Sequence, residues 1–273
     1  MSRVIAIANQ KGGVGKTTTA INLGAGLAVA ERRTLIVDMD PQGNATSGLG
    51  VDRSETSESM YDVLVGGVAL EQVVKNSVHL PLLDLAPSTR DLVGAEVELV
   101  DLPERELALR RALPAVREQY AYVLVDCPPS LGLLTLNTLA AADTVLIPIQ
   151  CEFYALEGLS QLLNTVLLVQ QNLNPALEIE GVLLTMFDQR LNLSRQVADE
   201  AKEYFGERVF RTVIPRNVRL AEAPSFGKPI VLYDILSAGA QSYLAMAKEV
   251  IARDEGRAAR VPRAVAAKGG DRR

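Results

Sequence analysis

The sequence has no tryptophan, two cysteines, one histidine and few aromatics, at 4% of 273 residues. Each scarcity removes a class of protein. Cys127 and Cys151 are too few for a disulfide scaffold, which points to a reducing interior. With His79 as the only histidine, neither a nucleophile–histidine triad nor a zinc cluster can be assembled; His79 is expected to cap or pack in a loop. No apolar run approaches the roughly 20 residues of a membrane span. The first residues, MSRVIAIANQ, lack the charged start, apolar stretch and cleavage site of a secretory signal. They read as a first strand, and the expectation is a cytoplasmic protein.

What is abundant is aliphatic. Hydrophobic residues make up 48% of the chain, enough for one large α/β core packed with Val, Leu, Ile and Ala. The net charge of −5 is uneven: residues 1–180 carry 12 basic and 22 acidic side chains, 181–255 carry 10 of each, and 256–273 carry 6 and 1. An acidic whole argues against constitutive tight DNA binding but leaves room for a local basic face. Short β-branched runs at Val4–Ala8, Thr34–Asp38, Leu82–Ala86, Tyr122–Asp126, Thr144–Pro148, Gly181–Met186 and Val209–Ile214 predict strands, mostly apolar throughout and so covered on both faces. Helical patterns lie between them: one opening with Ala20, Leu23, Leu27 and Ala28, then Glu104–Glu118, Leu156–Gln171, Ser194–Phe205 and Ser237–Arg253. The alternation predicts an α/β fold, a mostly parallel twisted sheet with helices on both faces. Residues 1–255 read as one domain. Residues 256–273, GRAARVPRAVAAKGGDRR, read as a basic, disordered tail.

The chemistry concentrates at three strand ends. Asn9 to Thr18 follow the first strand and open the first helix. Glycines at 12, 13 and 15 let backbone N–H groups of Lys11, Gly12, Gly13, Val14, Gly15, Lys16, Thr17 and Thr18 wrap a phosphate, and the helix N-terminus adds partial positive charge. Lys16 would reach the β- and γ-phosphates, and the Thr17 hydroxyl would bind Mg²⁺. The strict Walker pattern wants glycine where Gln10 stands, and an extra lysine, Lys11, is present. Strand two ends in Asp38 and Asp40, followed by Pro41, Gln42, Gly43 and Asn44. A third apolar strand ends in Asp126 and resembles a Walker B strand, a likeness that implies Asp126 holds Mg²⁺ through water. Cys127 reads as a small buried residue.

KGGVGKTT resembles the deviant Walker A motif of the ParA/MinD branch of P-loop ATPases. The likeness extends over residues 1–255 through DPQGNATSGLG, DCPPSLGLLTLN, PIQCEFYALEGLSQLL, GVLLTMFD and VIPRNVRLAEAPSFGKP, which together look like a chromosomal ParA of the Soj type. The resemblance implies that two monomers sandwich two ATP molecules, with Lys11 crossing to the partner's nucleotide and Asp40 orienting the attacking water. Asp38 would support Mg²⁺ or the loop. Met186, Pro215 and Asn217 fall where the family binds adenine. It further implies an ATP-bound homodimer that binds double-stranded DNA without sequence preference, a nucleoid location, and a ParB-type partner that stimulates slow hydrolysis. Positions matching the family's DNA-contacting arginines are Arg190 and Arg219. Arg216, Lys202, Lys228 and Lys248 join them in the basic region around residues 190–248, and weak contacts doubled by dimerisation would make ATP a switch on DNA binding.

Three rivals are weighed on the residues. A MinD-like membrane ATPase ends in a bulky amphipathic helix, whereas after Gly256 only Val261 and Val265 exceed alanine in apolar bulk, with Pro262 interrupting. An iron–sulfur carrier is disfavoured by the spacing of Cys127 and Cys151. A merely nucleotide-sensing module is disfavoured by the joint presence of Lys11, Lys16, Thr17, Asp40 and Asp126.

Overall fold

The computed structural model describes residues 2–152 and 157–260. Within them a six-stranded sheet has the order β3-β2-β4-β1-β5-β6, every pairing parallel. The strands are β1 (Arg3–Ile7), β2 (Thr34–Asp38), β3 (Leu83–Ala86), β4 (Tyr122–Asp126), β5 (Thr144–Gln150) and β6 (Glu178–Thr185). The longer helices are α1 (Lys16–Val29), α2 (Leu92–Glu98), α3 (Leu133–Ala141), α4 (Glu157–Asn172), α5 (Asn192–Phe205) and α6 (Ala238–Arg260).

Alternate residues of each strand feed two separate cores. Val4, Ala6, Val37, Val123 and Val125 pack under α2, α3, α4 and α5. Ile5, Ile7, Ile36, Leu124 and Leu146 pack under α1 and α6. Burial on both faces explains the aliphatic strands, since polar alternation would put polar groups into one core or the other. Helix α1 crosses α6 closely at Gly26, where a Cβ would lie 3.1 Å from the Ala247 side chain and 3.2 Å from the Tyr243 carbonyl oxygen.

The structure departs from the sequence expectation in four places. Val209–Ile214 is not a strand. Phe210 and Ile214 N–H groups bond to Val182 and Leu184 carbonyls of β6. Those of Arg211 and Thr212 go instead to the Glu249 carboxylate on α6, each at 2.9 Å, and the ladder is reduced to isolated bridges. The expected helix Glu104–Glu118 is broken into a turn at Arg105–Leu107 and short helices at Ala108–Ala112 and Pro114–Arg117; Pro114 has no N–H to continue the ladder. Strand β6 stops at Thr185 because Met186 takes a left-handed conformation, φ 50°. Helix α6 runs through Gly256 to Arg260, into the stretch expected as a tail. Its end is anchored by Arg257 and Arg3, which bond to buried Glu180 at 2.9 and 2.6 Å, and by Asp254 on Arg3. The remaining tail expectation, residues 261–273, lies outside the described residues, as does Leu156.

The α1–α6 crossing predicts that Gly26→Val destabilises the fold by about 1–3 kcal/mol, because the obstructing Tyr243 carbonyl is backbone and cannot swing away. Calorimetry should show Tm lowered by several degrees; an unchanged Tm would mean that the crossing has slack.

Candidate active site

The C-terminal ends of β1, β2 and β4 lie side by side, with Ile7 and Asp38 both in register with Asp126. Beyond β1 the chain would lose its ladder partners, and the Asn9 side chain substitutes for them. Its amide donates to the Pro148 carbonyl at 2.8 Å and its oxygen accepts the Lys11 N–H at 3.0 Å. The loop then turns through Gly13 (φ 75°) and Gly15 (φ 90°), conformations that admit glycine readily and other residues at a cost. The Thr185 hydroxyl donates to the Val14 carbonyl at 2.8 Å, tying the loop to the end of β6. Helix α1 begins at Lys16 with no side-chain cap and no acid in its first turn, so its first N–H groups point into the loop unclaimed. Thr17 and Thr18 are half-buried in that turn; the Thr18 carbonyl accepts the Asn22 amide at 2.8 Å.

Lys16 is 6% exposed. Its ammonium donates to the Lys11 carbonyl at 3.1 Å. Burial pulls its pKa down, against the charges of Asp126 and Asp40. Asp126 is fully buried and neither carboxylate oxygen has a partner of proper hydrogen-bond geometry. Burial and then the charge of Asp38 push its pKa well above the usual carboxylate range, with the Thr17 hydroxyl close enough only to temper the rise. An unpaired buried carboxylate is expensive, and a cation between Asp126 and Thr17 would relieve it. Among the described residues no cluster of three or more His, Cys, Asp or Glu could by itself cage a metal. That suits Mg²⁺, which keeps several waters and takes phosphate oxygens as ligands.

Asp38 is differently placed. Its carboxylate accepts the Thr46 N–H at 2.8 Å, the Thr46 hydroxyl at 2.7 Å and the Asp40 N–H at 3.2 Å. Burial still pushes its pKa up to about 6. The arrangement has Asp38 fixing the loop that carries Asp40, and direct metal ligation would compete with those bonds. Asp40 is 6% exposed; its carboxylate accepts the Gln42 N–H at 2.9 Å and its carbonyl the Ser88 hydroxyl at 2.7 Å. Cys127 is buried and pushed up to about 12 by that burial, a thiol at neutral pH and no nucleophile.

Met186, Pro215 and Asn217 meet beside this loop. Met186 follows Thr185, and Phe187 bridges Pro215. The Asn217 side-chain oxygen is buried with no partner, an acceptor aimed at something the chain itself does not supply. His79 packs as expected, a ring nitrogen 2.9 Å from the Leu49 carbonyl.

The six expected DNA-binding residues lie on several elements. Arg190, Arg216 and Arg219 follow the C-terminal end of β6, each exposed and each paired with an acid: Arg190 with Asp188 at 2.7 Å, Arg216 with Glu152, and Arg219 with Glu222 at 2.9 Å and Asp234 at 3.5 Å. Lys228 lies in the loop beyond them and Lys248 on α6, both exposed. Lys202 stands near the far end of α5, about 15 Å along the helix from Asn192, lining the same open groove as Glu178 and Arg208. Among the described residues these three lysines have no ion pair. Sequence reasoning gave no role to Asn9, Thr46, Ser88 or Thr185. Thr46 and Asn9 stand inside the quoted motifs, but the bonds that give them a role cross between strands.

A glycine loop between strand and helix, a buried lysine behind it and partnerless carboxylate oxygens at the next strand end define a P-loop ATPase. A family model described as an AAA domain matches residues 2–179. The sporulation initiation inhibitor protein Soj of Bacillus subtilis (strain 168) is 60% identical over 252 residues, 92% of this chain and 99% of that protein. The chromosome partitioning protein ParA of Myxococcus xanthus (strain DK1622) is 58% identical over 254 residues, 93% of this chain and 89% of that one. Among solved structures, cobyrinic acid a,c-diamide synthase from Mycobacterium smegmatis with bound ADP and magnesium superposes with a TM-score of 0.82 at 39% identity, covering 93% of this chain and 96% of that one. The chain belongs to the ParA/Soj family of chromosome-partitioning P-loop ATPases.

The buried charge predicts opposite effects of one substitution. Asp126→Asn removes an uncompensated carboxylate, so the nucleotide-free protein should melt higher, while Mg²⁺-dependent ATP affinity should fall by about tenfold or more. Differential scanning fluorimetry with and without Mg-ATP reads both; a lowered apo Tm or unchanged affinity would contradict the assignment.

Proposed function

We propose that this chain is an ATP-dependent chromosome-segregation ATPase whose ATP-bound homodimer binds DNA non-specifically and is released when a ParB-type partner stimulates hydrolysis. The observation that carries the reading is a buried Lys16 and a buried, partnerless Asp126 flanking one glycine loop, supported by 60% identity to Soj over nearly the whole of both chains. The diamide synthase of known structure shares the fold at lower identity, and the MinD-like alternative has less behind it than the partition reading. No described helix is long and apolar enough to cross a membrane.

In this reading the N–H groups of Lys11 to Thr18 and the Lys16 ammonium hold the triphosphate. Thr17 and Asp126 hold Mg²⁺, which offsets phosphate charge when bound. Asp38 keeps Asp40 in place through Thr46, and Asp40 orients water in line with the γ-phosphate, the positioning that phosphoryl transfer chiefly needs. Lys11 reaches the other subunit's nucleotide and stabilises transition-state charge there. Met186 and Pro215 flank the base and Asn217 offers it an acceptor. Gly12 and Gly13 are exposed with open space around them, leaving room for a second subunit's close approach. The nucleotide-dependent dimer doubles contacts from Arg190, Arg216, Arg219, Lys202, Lys228 and Lys248 to phosphates. The three arginines must exchange their acidic partners for DNA, which favours weak, salt-sensitive binding. A nucleoid-associated, cytoplasmic location follows from the same reading.

Gel filtration and DNA binding with ATP, ADP or no nucleotide test it. Asp40→Ala should form a stable ATP dimer that binds DNA and hydrolyses at least about tenfold more slowly. Lys16→Ala should do neither. DNA retention by Lys16→Ala would contradict the nucleotide switch. Gly12→Val probes the interface more cleanly than Gly13→Val, since Gly13 has a positive φ and Gly12 does not; it should bind ATP and stay monomeric. Arg219→Glu should weaken binding to all DNA sequences alike and leave the ATP dimer intact. Loss confined to particular sequences would mean direct base readout instead.

A further inference from the structure

Between Asp40 and the short helix Asn44–Gly48 the chain turns through Pro41, Gln42 and Gly43. The two ends of this turn are tied to the strands. The Asp38 carboxylate accepts the Asp40 and Thr46 N–H groups, and the Ser88 hydroxyl donates to the Asp40 carbonyl. The Gly43 N–H closes back on the same carbonyl at 2.8 Å. The middle of the turn is held by one side chain that the site described above does not include, Arg53.

Arg53 reaches back twelve and eleven residues to two successive backbone carbonyls. Nη2 donates to Pro41 at 2.7 Å and Nη1 donates to Gln42. A fork of two parallel donors is what guanidinium offers and ammonium does not. Elsewhere Arg33, Arg117 and Arg253 give their charge to the carboxylates of Asp84, Asp143 and Glu249. Beside Arg53 the Asp52 carboxylate is turned to Ser54, accepting its N–H at 2.8 Å and its hydroxyl at 2.6 Å. The Thr56 hydroxyl donates to the Asp52 carbonyl at 2.8 Å, and the Val51 N–H to Thr46 at 3.2 Å. The turn that presents Arg53 is thus fixed by its own bonds, and the arginine is left to the backbone of Pro41 and Gln42.

Gly43 makes room for it. A Cβ at this position would lie 2.6 Å from Cζ and 2.9 Å from Cδ of Arg53. The guanidinium therefore lies against the Gly43 backbone, where no larger residue leaves it space.

One peptide plane connects Arg53 to Asp40. The Pro41 carbonyl and the Gln42 N–H belong to the same planar unit. Its oxygen accepts from Arg53 and its N–H donates to the Asp40 carboxylate at 2.9 Å. Fixing one end of the plane fixes the other, and a cation on the carbonyl strengthens the N–H as a donor. Small displacements of a water-orienting group cost rate steeply.

We propose that Arg53 is a positioning residue for hydrolysis, holding the Asp40 carboxylate in place through the Pro41–Gln42 peptide. Its effect on turnover rests on the partition-ATPase reading of Asp40; the tie between Arg53 and the turn does not.

The test compares the full-length wild type with Arg53→Ala, Arg53→Lys and, as a control, Arg111→Ala, an exposed arginine paired with Glu104. Amide hydrogen exchange of the nucleotide-free protein reads the tie directly. In Arg53→Ala the Gly43 and Thr46 amides should exchange about tenfold faster while those of β3 stay unchanged. Steady-state kinetics and calorimetry with Mg-ATP read the consequence. Arg53→Ala should lower kcat about five- to tenfold and leave KM and ATP affinity within about twofold. Arg53→Lys, which can meet one carbonyl at a time, should fall between Arg53→Ala and wild type, and Arg111→Ala should match wild type. In a Gly43→Ala background, where the added Cβ already displaces the guanidinium, Arg53→Ala should cost less than about twofold more. Unchanged exchange at Gly43 and Thr46 overturns the proposal. So does full turnover in Arg53→Ala, a parallel fall of kcat and ATP affinity, or full additivity with Gly43→Ala. A wild-type chain that hydrolyses no ATP would sink the partition reading instead, while faster exchange in Arg53→Ala would still uphold the tie.

Discussion

A buried carboxylate without a partner, set one strand from a buried ammonium, is the constraint around which this molecule is organised. Asp126 ends β4 and Lys16 opens α1 beyond the neighbouring β1, both withdrawn from water, and the lysine satisfies itself on a backbone carbonyl. Neither group would be retained in a core for stability alone. A triphosphate and a divalent cation would supply the missing charges together, with Lys16 and the glycine loop as the residues to hold phosphate and Thr17 and Asp126 as those to hold the cation. The site is thus stable in combination and strained in isolation, which is how binding free energy can be directed into a change of shape.

The sheet makes this arrangement possible. Parallel strands bring their C-terminal ends to one edge, so the segments that follow three of them carry Lys16, Asp40 and Asp126 close together. The supporting bonds are cross-strand. Asn9 closes onto Pro148, Thr185 holds Val14, and Thr46 connects Asp38 to Ser88. These make the loops rigid where chemistry occurs and leave Gly12 and Gly13 open at the surface where a second subunit would press.

Much of this was legible in the sequence. The aliphatic strands, the KGGVGKTT loop and the three acids at strand ends announce their positions through local pattern, and five of the strands expected before residue 180 or near it fall within a residue or two of the observed ones. Where the reading failed, the deciding interaction was long-range. Val209–Ile214 has every local mark of a strand, yet Glu249, far along the chain, takes two of its N–H groups. Gly256 looks like a helix end, yet Glu180 binds Arg257 and draws α6 onward.

The most direct test of the central claim is titration calorimetry of the wild-type chain with ATP, in the presence and absence of magnesium. The account predicts one nucleotide per chain, with affinity that falls sharply when the cation is withheld because Asp126 is then left facing phosphate uncompensated. Equal uptake with and without magnesium, or no heat at all, would contradict it.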